Sequence, residues 1–153
     1  MRIPKGKTSS NPRAHRAVHP GLPSGDVSDI DDVRAANDAF YAAHEARDLS
    51  VMSATWEQTD RAVCVHPGWP ILRGWEQIEE SWKRIFDGVG RNQFIITNLS
   101  AHVVGEMAWV TLEENLVDRG ETYAIAATNV FVRRDGEWKL IAHHGSPIHA
   151  RLG

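Results

Sequence analysis

Three side chains of this sequence could together move protons: His66 in "CVHPGWP", Glu114 in "TLEENLVD" and His144 in "KLIAHHGSP". An imidazole beside a carboxylate is the minimal equipment for taking a proton from a substrate and returning it, because burial can move both pKa values toward neutrality. These residues lie far apart in the chain, so the chemistry needs a fold that brings them together. The alternative for His66 is a structural hydrogen bond in the turn that Pro67 and Gly68 create.

The alternation of side chains along the predicted strands indicates which of these groups face inward. Successive residues of a strand point to opposite faces. Glu114, Asn129 and His144 each share a face with apolar residues, so we predict that all three face inward and that His143 faces outward. Three polar groups on an apolar face predict a small-molecule pocket, although each alone could be a satisfied core residue. A β-bulge between Trp138 and His144 would reverse the last assignment.

Aromatic residues could complete the pocket. Tyr41, Trp56 and Trp69 are predicted to bind the ligand as an aromatic wall, which would suit a small apolar or aromatic molecule. The alternative is that Trp56 belongs to the core and Trp69 covers it. Trp75 and Trp82 lie on the apolar stripe of one predicted helix and are expected in the core.

No metal or cofactor is expected. His66, His144 and Glu114 could converge, but no short ligand spacing such as HxH, HExxH or CxxC accompanies them. The sequence contains neither a phosphate-binding glycine loop nor a serine nucleophile elbow.

Cys64 is the single cysteine, and no nearby base would activate it as a nucleophile. One cysteine excludes an intrachain disulfide and favours a reducing, cytoplasmic setting.

The charge is unevenly distributed along the 153 residues, which carry a net charge of −3. Residues 1–27 form a basic segment rich in Pro, Gly and Ser, which predicts a flexible tail, with a basic binding arm as the alternative. Residues 28–149 are predicted to form one domain. Its acidic balance argues against binding nucleic acid or a membrane surface. No apolar run approaches a membrane span, and the N-terminus lacks the apolar region of a signal peptide.

The elements that must position the site are three helices followed by a β-meander. "SDIDDVRAANDAFYAAHEARD" predicts a helix that Ser28 caps, and residues 49–56 predict a short second helix. A short strand at 62–65 is expected at the sheet edge, before a third helix in "WEQIEESWKRIF". From residue 92 the apolar period changes to two, which predicts four strands joined by hairpins at 105–106, 119–120 and 135–136. The fold class is therefore α+β, with helices covering one face of a curved sheet.

Several segments resemble the nuclear transport factor 2-like superfamily, and within it SnoaL-like domains. They are "RDLSVMSATW", "HPGWPILRGWEQIEESW" and "RRDGEWKLIAHHGSP", and the resemblance extends over about residues 28–148. The segment "TNVFVRRDGEWKLIAHHGSP" also resembles the association (hub) domain of calcium/calmodulin-dependent kinase II. The resemblance implies a cone-shaped α+β barrel, in which three N-terminal helices pack on a strongly curved, mainly antiparallel sheet around a deep pocket.

The resemblance implies two functional hypotheses, because the superfamily includes isomerases, dehydratases, polyketide cyclases and non-catalytic scaffolds. The first is a cofactor-independent enzyme in which His144 and His66 carry protons and Glu114 orients them or acts as a base. A substrate with an acidic C–H beside a carbonyl would suit these groups. The second is an oligomerising scaffold or ligand sensor like the hub domain.

Two further expectations follow from the resemblance. In the hub domain two pocket arginines can hold a carboxylate, and their matching positions here are Glu114 and Asn129, which puts an acidic ligand in doubt. The superfamily commonly dimerises through its sheet. Outward residues of the later strands have the content of an interface, so we expect a homodimer. Those residues are Trp109, Thr111, Val130 and Val132.

Overall fold

The computed structural model describes residues 26–118 and 120–149. This part of the chain contains three helices and six strands in an α+β arrangement. The sequence predicts this fold class and all of these elements except the second strand. The helices are α1 (Val27–Ala46), α2 (Leu49–Thr55) and α3 (Trp75–Asp87). The strands are β1 (Val63–Val65), β2 (Leu72–Arg73), β3 (Gln93–Val104), β4 (Met107–Asp118), β5 (Glu121–Arg134) and β6 (Glu137–Pro147). None of the described helices combines the length and apolarity that a membrane span requires.

The start of α1 differs from the predicted cap. The helix begins at Val27 after Asp26, and the Ser28 hydroxyl donates to the Asp26 carboxylate at 3.1 Å instead of capping a backbone N–H. The predicted tail lies outside the described residues, apart from Asp26 and Val27. α1 ends at Ala46, and Arg47, its C-cap, takes the left-handed conformation with φ 53°. Asp48 then caps α2, since its carboxylate accepts a hydrogen bond from the Val51 N–H at 3.0 Å.

The six strands form one curved sheet in the order β2-β1-β6-β5-β4-β3. The four long strands pair antiparallel in sequence order, which confirms the predicted meander, whereas β1 pairs parallel to β6. Asp135 and Gly136 both have positive φ, as the tight hairpin between β5 and β6 requires. The predicted position of β1 at the sheet edge is wrong, because β2 pairs outside it. β2 has only two residues, too few to show the alternation that reveals a strand.

The core lies between the helices and one face of the sheet. Phe40 of α1 and Trp82 of α3 are fully buried and meet edge to face, with ring centroids 5.7 Å apart. Phe131 and Leu140 approach from the sheet and are also fully buried. Trp56 follows α2 and forms an isolated bridge to Leu140, so it belongs to this core. The helices therefore cover the apolar face of the sheet: α1 contacts β3, β4 and β6, and α3 contacts β1 and β2.

Arg47 holds two helices together. Its guanidinium donates to the carbonyl oxygens of Ile85 at 3.0 Å and of Phe86 at 2.5 and 3.1 Å, and it also donates to Gly88 O. The last carbonyls of a helix have no partner within the helix, and a cation there also complements the helix dipole. Arg47 thus satisfies the end of α3 and fixes it against the end of α1.

We expect Arg47→Met to destabilise the domain by about 1 to 3 kcal/mol, because carbonyls at the end of α3 lose their donors. Urea unfolding followed by circular dichroism measures the effect. Arg84→Met is the control, since Arg84 forms only an exposed ion pair with Glu80 and should cost less than about 0.5 kcal/mol. Equal effects of the two changes would contradict the bridging role of Arg47.

Candidate functional site

A cavity of about 580 Å³ opens between α1, the end of α3 and the later strands. Three of the predicted site residues line it: His66, Glu114 and Trp69, the last with 37% of its surface exposed. His143 lines it too. The rest of the wall is largely apolar and includes Ile85, Phe94, Leu116, Ile125, Pro147 and Ile148. The size falls within the range of small-molecule sites.

The predicted inward orientation of His144 is wrong, and His143 faces the cavity in its place. In the pairing of β5 with β6, Val130 lies opposite Ala142 but Phe131 lies opposite Leu140, so Ile141 is an extra residue without a partner. This β-bulge reverses the alternation after Leu140. His143 is consequently buried, whereas His144 is exposed on the outer face of the sheet.

Glu114 and Asn129 face inward as predicted, with 5% and 0% of their surfaces exposed. The Tyr41 hydroxyl donates to Glu114 Oε1 at 2.6 Å and accepts from Asn129 Nδ2 at 3.2 Å. Asn129 pairs directly with His143 across the strands, and its Oδ1 lies 2.5 Å from His143 Nδ1. Tyr41 and Asn129 are not among the cavity-lining residues. They lie behind the cavity wall, where their hydrogen bonds connect Glu114 to His143. We predicted instead that both would contact the ligand.

His66 follows β1 and lies beside His143, with ring centroids 6.4 Å apart. Its Nε2 lies 2.8 Å from Ser81 Oγ, and that hydroxyl donates to the Ile78 carbonyl at 2.6 Å. The Ser81 oxygen therefore accepts from His66 Nε2–H, which leaves Nδ1 as the bare nitrogen. Cys64 Sγ lies 3.8 Å from that Nδ1, too far for more than a weak contact.

His44 is a fourth ionisable group of the cavity, and the sequence reasoning missed it. It follows Phe40 by four residues on α1, a spacing that places it on the buried face of that helix. Its ring packs edge-on against Trp82 and Phe94. His44 Nδ1 is buried without a hydrogen-bond partner among the described residues. The same helical rule could have found Ser81, three residues after Ile78.

Burial sets the protonation states of Glu114 and of three imidazoles at the cavity. It lowers the pKa of His143 to about 3 and those of His44 and His66 to about 4, with smaller contributions from neighbouring charges. All three imidazoles are therefore neutral near pH 7. Burial also raises the pKa of Glu114 to about 7, against the opposing effect of the hydrogen bond from Tyr41.

The charges around the cavity restrict what it can hold. The lining residues include neither Lys nor Arg, so an anionic ligand would meet no counter-charge there. No cluster of three or more His, Cys, Asp or Glu suited to a metal occurs in residues 26–118 and 120–149. Burial raises the pKa of Cys64 far above neutrality, so its thiol stays protonated. Trp56 was predicted to bind the ligand, with a place in the core as the alternative. It lies in the core and does not line the cavity.

The model of the SnoaL-like domain matches residues 33–150 of the sequence, which is most of the chain. This chain belongs to the SnoaL-like domain family. The match includes every element that builds the cavity, and it confirms the predicted membership of the nuclear transport factor 2-like superfamily.

Three known proteins are similar to this chain. A candidate dehydratase of the NTF2-like family from Streptomyces avermitilis is 36% identical, with a TM-score of 0.75 over 80% of this chain and 98% of that one. A candidate calcium/calmodulin-dependent protein kinase type II association domain from Thiobacillus denitrificans is 35% identical, with a TM-score of 0.66 over 76% and 94%. F-box protein SKIP8 of Arabidopsis thaliana is 28% identical over 112 residues, 73% of this chain and 48% of the plant protein. This chain thus spans about half the length of that curated relative.

The raised pKa of Glu114 should make the stability of the domain depend on pH. The folded state holds a proton on this carboxyl up to about pH 7, whereas the unfolded chain loses it near pH 4.5. Stability from this group is therefore lost as the pH rises through that window. Glutamine does not ionise, so we expect the free energy of unfolding of Glu114→Gln, measured relative to that of wild type, to increase by about 2 to 3 kcal/mol when the pH is raised from 5 to 8.

Urea unfolding of both proteins at the two pH values measures this gain. Glu79→Gln, at an exposed position of α3, is the control and should stay within about 0.5 kcal/mol of the wild-type stability, as exposed substitutions usually do. A constant difference between Glu114→Gln and wild type across the range would contradict a carboxyl that ionises near neutrality.

Proposed function

We propose that this SnoaL-like domain binds a small uncharged molecule with an apolar or aromatic body and acts on it by general acid/base catalysis without a cofactor. The reaction class is that of a dehydratase or an isomerase. The observation that carries the proposal is the Glu114 carboxyl, which is 95% buried on the wall of an open cavity and has a pKa of about 7. A group with this pKa both gives and accepts protons at neutral pH.

The proposal gives each wall residue a role. Glu114 Oε1 accepts from Tyr41, and Oε2 has no protein partner in the described part of the chain, so it is the oxygen that would meet the substrate. His143 Nδ1 is held by Asn129, which leaves Nε2 as the second proton acceptor. His66 Nδ1 is a third. A substrate with an acidic C–H beside a carbonyl fits groups that remove a proton at one position and return it at another.

The shape and charge of the cavity support an uncharged substrate. Phe94, Leu116 and Trp69 offer apolar surface to a flat ring. Placing a carboxylate ligand next to Glu114 without a neighbouring cation would cost free energy from both desolvation and repulsion. The 36% identity to a candidate dehydratase supports the reaction class.

The second candidate is a ligand-sensing or scaffold domain, favoured by the 35% identity to a candidate kinase association domain. The open cavity with its buried carboxyl favours the enzyme, because a scaffold has no use for a buried carboxyl that lowers stability at neutral pH and has no neighbouring cation. Both candidates accommodate a homodimer.

We test the catalytic proposal by following α-proton exchange in D₂O with proton NMR, using a panel of aromatic and alicyclic ketones. Wild-type protein should accelerate exchange of at least one member. Glu114→Gln and His143→Gln should each lower that rate about 100-fold or more, since each removes a proton carrier. His144→Gln is the matched control and should keep the wild-type rate, because His144 lies on the other face of β6.

Equal losses in His143→Gln and His144→Gln would contradict the assignment of the cavity imidazole. If no ketone of the panel exchanges its α-protons and none shifts the resonances of Trp69 and Phe94, the proposed substrate class is contradicted. Binding without exchange in any member would favour the ligand sensor.

We also propose that the domain is a homodimer through the outer face of the sheet. Trp109 is 38% exposed there and stacks on His102, with ring centroids 5.3 Å apart. Val132, which we expected at this surface, is buried, and Val130 is half-buried. The exposed apolar residues of this face on β3 and β4 are Ile95, Val104, Met107, Trp109 and Val117.

Light scattering at micromolar concentration should give twice the mass of the chain. Trp109→Glu should convert the dimer to a monomer, because a carboxylate would be buried in the interface. Val51→Glu changes an apolar residue on the helical side that is 48% exposed, and it should leave the dimer intact. A monomeric wild-type protein would contradict the proposal.

A further inference from the structure

Glu114 and His143 are joined by a continuous chain of hydrogen bonds. Asn129 Oδ1 can only accept, so His143 Nδ1, 2.5 Å away, carries the proton and donates to it. Asn129 Nδ2 in turn donates to Tyr41 at 3.2 Å. Tyr41 then donates to Glu114 Oε1 at 2.6 Å. Every donor points toward the carboxyl, which is the arrangement that an ionised Glu114 requires, since a carboxylate only accepts.

The same four side chains satisfy a second arrangement with every donor reversed. A protonated Glu114 donates to the Tyr41 oxygen, and the Tyr41 hydroxyl then turns to donate to Asn129. For Asn129 to accept, its amide must rotate by 180°, which exchanges the places of Oδ1 and Nδ2. The amide nitrogen then donates to His143 Nδ1, so the proton of the neutral ring must lie on Nε2.

Asn37 gives Asn129 the freedom to rotate. Asn37 Oδ1 accepts from Asn129 Nδ2 at 2.9 Å, and it must turn with Asn129 to present its own nitrogen. Asn37 Nδ2 is buried with no hydrogen-bond partner among the described residues. No hydrogen bond from that nitrogen holds the amide of Asn37 in its present orientation, and after rotation the nitrogen gains Asn129 Oδ1 as its acceptor.

We propose that Tyr41 and Asn129 are positioning residues that couple the protonation of Glu114 to the tautomer of His143. When Glu114 is ionised, His143 presents a bare Nε2 to the cavity. When Glu114 is protonated, His143 presents Nε2–H. The coupling uses the proposed ligand cavity but needs no particular reaction.

The coupling selects ligands by chemical class. A bare Nε2 accepts a hydrogen bond, so the ionised state favours a ligand that donates one, such as an alcohol. Nε2–H donates, so the protonated state favours a carbonyl oxygen. A hydroxy compound and the carbonyl compound related to it would thus bind with opposite pH dependence, the first more tightly above neutral pH and the second more tightly below it.

Other ionisable groups surround the pair. His44 on α1 and His66 after β1 face His143, and both stay neutral above about pH 5 because burial lowers their pKa values to about 4. Cys64 on β1 keeps its proton. His144 follows His143 on β6, and its charge acts on that ring. Measuring in a His144→Gln background removes its contribution.

The test is long-range proton–nitrogen NMR of the ¹⁵N-histidine-labelled His144→Gln protein between pH 5.5 and 9, with no ligand. We expect His143 to change from the Nε2–H form at low pH to the Nδ1–H form at high pH. The midpoint should coincide with the titration of the Glu114 carboxyl carbon. His143 should remain neutral throughout, because burial holds its pKa near 3.

Two conservative variants keep the test decisive if one of them fails to fold. Tyr41→Phe removes the connecting hydroxyl, so Glu114 should still titrate, at a higher pH, while the tautomer of His143 no longer follows it. Glu114→Gln removes the titrating group, so the tautomer should not change with pH.

A His143 that keeps one tautomer while Glu114 titrates would overturn the coupling. So would a tautomer change that survives in either variant. Because no substrate is present, these outcomes are independent of whether the ketone panel reveals catalysis.

Discussion

The hydrogen bond between His143 Nδ1 and Asn129 Oδ1 is the contact on which the site depends. It joins two side chains that are paired across β5 and β6, and it fixes the ring that faces the cavity. The bond exists because Ile141 is an unpaired residue in β6, which turns His143 inward beside Asn129. From Asn129 the polar contacts extend through Tyr41 to Glu114. A buried carboxyl and a buried imidazole, neither beside a cation, are thus satisfied by two uncharged side chains.

The helices stabilise this buried network of polar side chains. α1 contributes Tyr41 to the network and Phe40 to the core from adjacent positions, so the same helix seals the apolar region and satisfies the polar one. The two rings lie edge to face with centroids 4.9 Å apart. Arg47 anchors the end of α1 to the end of α3, next to the Ile85 and Phe94 side of the cavity. The ends of α1 and α3 are therefore held together by a contact that does not involve the ionisable groups of the cavity.

The sequence predicts the elements better than the site. Long strands repeat their alternation many times, so the meander and the inward orientation of Glu114 and Asn129 follow from the pattern. The bulge at Ile141 leaves no such signal, because one extra residue between two apolar stretches does not disturb the composition of either. His44 and Ser81 were missed for another reason. Each lies on the buried face of a helix among larger apolar residues. The apolar pattern of such a face predicts core residues and does not distinguish a polar side chain within it.

The two adjacent histidines of β6 have a consequence for the divergence of this fold. Insertion or deletion of a single residue upstream in the strand exchanges the faces of all residues that follow. At most positions such a change would replace the group in the cavity by one of a different kind. Here, after a shift of one residue in either direction, a histidine still lies opposite Asn129 or next to that position. The pair therefore protects the chemistry of the cavity against length changes in the strand, a form of robustness that substitutions alone would never reveal.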